Sequence, residues 1–130
     1  MMKPTDFGFA DNGERWQALG GTEALFATLE KKGVAKRDWF VRGGWAQNTP
    51  TAFQYGDLSD LYPIQDYVVA ETVDRYAQGE FEPSQETFEK FPTVFIWHGF
   101  SFVLQGTHRL AAQGRLGRFD SGWIVDVDSL

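Results

Sequence analysis

Cysteine is absent from the sequence, which excludes a disulfide framework, a thiolate nucleophile and any thiolate-held zinc or iron–sulfur centre. Long apolar runs are missing too. No stretch approaches the roughly eighteen apolar residues of a membrane-spanning helix, and the start Met1-Met2-Lys3-Pro4-Thr5-Asp6 lacks the apolar segment of a secretory signal. The expectation is a cytoplasmic protein with no membrane contact. Basic residues are in deficit, with 12 Lys and Arg against 18 Asp and Glu and a net charge of -6. Coating duplex DNA depends on a Lys/Arg surplus that neutralises phosphates, so extended duplex binding is not expected. Aromatic surface is what the chain has in plenty. Twelve Phe, five Trp and four Tyr in 130 residues supply much apolar contact per residue, which suits a single small core.

The first twenty residues mix Gly, Asp, Asn and Pro with scattered aromatics and read as an irregular arm, pinned to the rest by Phe7, Phe9 and Trp16. A helix is expected over 22–32, with Thr22 as its cap, Gly33 as its stop and Leu25, Phe26 and Leu29 as its buried stripe. Val34 to Tyr55 reads as a short strand, a turn and another short strand. Val69, Val73, Tyr76 and Ala77 fall at helical spacing before Gly79. Ser84 caps a further short helix that Pro92 ends. Thr93–Trp97 and Phe100–Leu104 are β-rich runs separated by His98-Gly99 alone, a two-residue hairpin signature. A helix then starts at Thr107, weakened by Gly114, and a last strand is expected from Trp123 to Asp128.

A strand that ends in glycine and runs straight into a helix aims several backbone N–H groups at one point, where the helix dipole adds partial positive charge. Gly106 lets a phosphate approach the main chain, Thr107 offers a hydroxyl, and Arg109 can grip two phosphate oxygens. His108 can orient that phosphate or transfer a proton, which makes it the candidate catalytic residue. The same residues have plainer readings. Glycine before a helix is an ordinary turn, His108 an ordinary structural histidine, and Arg109 an ion-pair partner for an acidic residue.

The segment Phe102-Val103-Leu104-Gln105-Gly106-Thr107-His108-Arg109-Leu110-Ala111-Ala112 resembles the hallmark of the ParB/sulfiredoxin-like superfamily. There a strand leads into a glycine-containing pair, then x-His-Arg, then small residues on a helix. Leu58 to Gln65 is similar to the Pro-x-Gln entry of ParB-type domains. The resemblance covers roughly residues 58–128, and it divides the chain into an N-terminal extension, 1–57, packed on a ParB/sulfiredoxin-like domain, 58–130. It implies an α+β fold, a small mixed sheet with a β-hairpin and flanking helices. It further implies phosphate or nucleotide contact by Gln105, Gly106, Thr107, His108, Arg109 and Gln65, with ATP or CTP and Mg²⁺ as the ligands that members of this kind bind. Sulfiredoxin chemistry needs a cysteine where Thr107 stands and is excluded. Free-serine kinases carry an acidic residue and a second histidine in place of Gln105 and Thr107.

The leading expectation is therefore a domain that binds a nucleotide or phosphorylated small molecule, with phosphotransfer or nucleotide hydrolysis as the chemistry within reach. One alternative is an acidic interaction protein of plasmid or phage type that occludes a protein partner, and another is a nuclease. No metal site is expected. Asp126 and Asp128, two apart on a strand, share one face and are weighed as carboxylate ligands against a plain wet edge. Asp57, Asp60 and Glu71 are weighed as Mg²⁺ ligands, and Trp39, Trp45 and Phe53 as a base-stacking surface.

Overall fold

The computed structural model describes residues 1–34, 51–52, 58–80, 92–117 and 121–130. Its helices are α1 (Glu14–Ala18), α2 (Gly21–Lys31), α3 (Ala70–Ala77) and α4 (Thr107–Leu116). Its strands are β1 (Thr51–Ala52), β2 (Tyr62–Pro63), β3 (Thr93–Trp97), β4 (Phe100–Gln105) and β5 (Ser121–Asp126). The strands form one mixed sheet in the order β1-β5-β3-β4-β2. The fold is α+β. Pairing is antiparallel for β3 with β4 and β1 with β5, and parallel for β3 with β5 and β2 with β4.

The hairpin forms as the sequence predicts. His98 and Gly99 turn it with φ of 51° and 77°, the paired positive values that match the twist of the flanking strands. Strand alternation then sends neighbouring side chains to opposite faces. Val94, Val103 and Ile124 join a cluster with Leu61, Val68, Val73, Leu110 and Ala111, against α3 and α4. Phe95, Trp97, Phe102, Trp123 and Val125 join a second cluster with Leu25 and Leu29 of α2. Because both faces are covered, β3 reads as a continuous apolar run rather than an alternating one.

Trp16 lies at the centre of the second cluster. Its ring meets Phe95, Trp97 and Phe102 edge to face with centroids 5.6, 5.7 and 5.4 Å away. Phe9 is buried in the first cluster, and the main chain of Met2 pairs with that of Val68 on both sides. The N-terminal residues thus supply core to both faces of the sheet. They are also more regular than the sequence implies, with a 3₁₀ turn at Pro4–Phe7 and helix α1.

Three local expectations differ from the structure. α2 is capped by Gly20 and has no side-chain cap, so Thr22 sits inside the first turn, exposed. Gly114 is an interior helix residue whose absent Cβ would lie 2.8 Å from Leu58 Cδ1; it lets α4 approach the Leu58–Asp60 turn, and that packing offsets its poor helix propensity. The last strand ends at Asp126, and Val127–Ser129 form a 3₁₀ turn. Asp126 and Asp128 therefore do not share a strand face. Asp126 caps that turn, accepting from Ser129 N and Oγ at 3.2 and 2.8 Å. Asp128 accepts from the amides of His98 and Gly99, both at 2.9 Å, and so closes the hairpin. The expected strands between Val34 and Tyr55 and the helix from Ser84 lie outside the described residues, except that Thr51–Ala52 is a strand.

Candidate functional site

β4 delivers the chain directly to α4 through Gly106, the helix N-cap, at φ 90° and ψ 19°. Leu110 N–H donates to the Gly106 carbonyl at 2.8 Å, so the amides of Thr107, His108 and Arg109 precede the helix's own ladder. No acidic residue occupies this first turn. The helix start is therefore electropositive. The glycine itself is required by the chain. A Cβ on Gly106 would sit 2.7 Å from Pro92 Cβ and 2.8 Å from Pro92 Cα, so the space it leaves is taken by Pro92.

Thr107 is 2% exposed, and its Oγ1 is buried without a hydrogen-bond partner. A hydroxyl left in that state costs about 1–3 kcal/mol. Arg109 follows at the half-buried flank of the turn.

His108 is tied elsewhere. Its Nε2 accepts from the Val69 N–H at 3.1 Å, joining the start of α3 to the start of α4. The acceptor nitrogen must be unprotonated, so the neutral ring carries its proton on Nδ1. The rings of Tyr67 and Tyr76 flank it edge to face, each with its centroid 6.5 Å away. Burial pushes the imidazole below its ordinary value. The unfolded ring takes a proton near pH 6.5 and the folded ring only at lower pH, so between these limits the unfolded chain binds more protons. Stability is then fully present above about pH 6.5 and falls as the pH drops below it. His108→Gln, whose amide oxygen can accept from Val69 without titrating, is expected to flatten this fall in urea unfolding between pH 8 and 5.5.

The remaining expected residues are spread out. Gln105 Nε2 donates to Thr93 Oγ1 at 3.1 Å across the hairpin. Gln65 Nε2 donates to the Tyr67 carbonyl at 2.8 Å, and Gln65 lines a groove with Asn12, Glu14, Gln17, Asp66 and Tyr67. Sequence reasoning missed the ring contacts of Tyr67 and Tyr76 with His108, and the groove; a tyrosine more than thirty positions from His108 carries no local signal of that contact. Asp60 lies in the 3₁₀ turn Leu58–Asp60 and Glu71 in the first turn of α3, while Asp57, Trp39, Trp45 and Phe53 fall outside the described residues. Among the described residues no three His, Asp or Glu side chains gather as metal ligands, and no helix is long and apolar enough to cross a membrane. Comparison with known protein families, with curated proteins and with solved structures finds no match for this chain.

Proposed function

We propose that the chain is a cytoplasmic phosphate-binding domain of the ParB/sulfiredoxin-like kind, taking the phosphates of a nucleotide or phosphorylated small molecule at the start of α4. The observation that carries this reading is Thr107 Oγ1, a buried hydroxyl without a partner at the first position of a ten-residue helix. A phosphate oxygen accepts from such a donor and from the neighbouring amides together, and Arg109 supplies the countercharge. Because the hydroxyl lies beneath the surface, seating the ligand requires a small outward movement of the chain around the turn. His108 serves this reading by holding α3 against α4, through Nε2, rather than by reaching the phosphate with that nitrogen.

Calorimetry with inorganic phosphate, ATP and CTP, with and without Mg²⁺, tests the reading. Thr107→Val keeps the shape and removes the hydroxyl, so it is expected to weaken binding by about tenfold while leaving stability equal or raising it by about 1 kcal/mol. Arg109→Ala is expected to weaken binding at least as much. No detectable binding, or binding indifferent to both substitutions, sinks the proposal.

A further inference from the structure

His108 stands in the chain between Thr107 and Arg109, yet its ring is turned to α3. Its Nε2 accepts from the Val69 N–H at 3.1 Å, and the rings of Tyr67, ahead of α3, and Tyr76, within it, flank the imidazole. Val69 is the N-cap of α3 and Gly106 that of α4, so one hydrogen bond ties the starts of the two helices together. The charged residues on the surrounding elements are of both signs: Asp66 precedes α3, Glu71, Asp74 and Arg75 lie on it, and Arg109 follows His108 on α4. Asp74 pairs with Arg115 of α4, a second tie between the helices that does not involve His108.

The hydrogen bond to Val69 exists in one protonation state alone. A doubly protonated imidazole carries an N–H on both nitrogens and accepts on neither, so a proton on Nε2 faces the Val69 N–H and drives the ring off α3. At the start of α4 this has two effects. The helix start loses its tie to α3, which eases the outward movement that brings Thr107 Oγ1 within reach of an anion. A positive charge also enters a first turn that has no acidic residue, beside the unpartnered Thr107 hydroxyl. Both effects tighten the grip on an anion.

We propose, resting on the phosphate reading of this turn, that His108 is an acid-sensitive latch on the α4 anion seat. Neutral, it holds the start of α4 to Val69 and keeps the seat closed; protonated, it releases α3 and lends the seat its charge. Burial keeps the imidazole below its ordinary value, so the latch is closed at neutral pH. Anion binding that favours the protonated ring takes up a proton, and by linkage the affinity rises as the pH falls below about 6.5.

Sulfate is the probe, because it stays a dianion where phosphate changes its own charge. Calorimetry on the full chain from about pH 7.5 to about pH 5, at fixed ionic strength and with folding followed by circular dichroism, is expected to show sulfate affinity rising about fivefold or more. Repeated near pH 6 in two buffers of different ionisation enthalpy, it is expected to show a proton taken up on binding. His108→Gln keeps an acceptor for Val69 and cannot titrate, so its affinity should stay flat, whereas a rise from general loss of negative charge would persist in it. His98→Asn removes the other histidine at a positive φ that asparagine tolerates, and should keep the rise. Sulfate binding without pH dependence or proton uptake, or an equal rise in His108→Gln, overturns the latch and leaves the phosphate reading standing. Sulfate and phosphate that fail to bind at every pH overturn both.

Discussion

Trp16→Ala is expected to cost about 3–5 kcal/mol, the range for deleting a large aromatic side chain from a core. The indole is 4% exposed and contacts three aromatic rings of the central strands, so its removal leaves a cavity lined by rigid rings that cannot collapse to fill it. Small domains hold only about 5–15 kcal/mol in total. Urea unfolding followed by circular dichroism should therefore show a large drop in the midpoint, and a loss below about 1 kcal/mol would contradict a central role for the N-terminal segment.

Gly106→Ala is the second large effect, expected at about 2–5 kcal/mol from two additive causes. A left-handed conformation costs an L-residue about 1–2 kcal/mol, and the new Cβ would stand 2.7 and 2.8 Å from Pro92 Cβ and Cα. Proline is rigid and one contact is with backbone, so relief requires the chain to move, at a further cost of roughly 1–3 kcal/mol. The shift falls at the start of α4. The phosphate binding proposed for this turn should therefore drop along with the unfolding midpoint, and a variant with wild-type stability would show that the turn does not need glycine.

The α4 turn illustrates how far local sequence reaches. Gln105-Gly106-Thr107 announces a strand passing into a helix, and the structure has that passage at those residues. The reason for the glycine was not legible, because Pro92, which lies against it, stands fourteen positions earlier and nothing in spacing predicts their meeting. His108 is similar: a histidine early in a helix suits a ligand role and a structural one equally, and only the approach of Val69 shows what its Nε2 does.

By itself the sequence determined the elements whose causes are local: the His98-Gly99 hairpin, the helix that stops at Gly79, and the helix that starts after Gly106. Turn chemistry and side-chain period act over a few residues, so they can be read in one dimension. Tertiary structure alone decided that β5 lies parallel to β3, that Asp128 closes the hairpin, and that Trp16 sits among the strand aromatics. Those outcomes depend on burying both faces of one sheet at once, a condition that couples residues far apart in the chain and leaves no periodic trace in it.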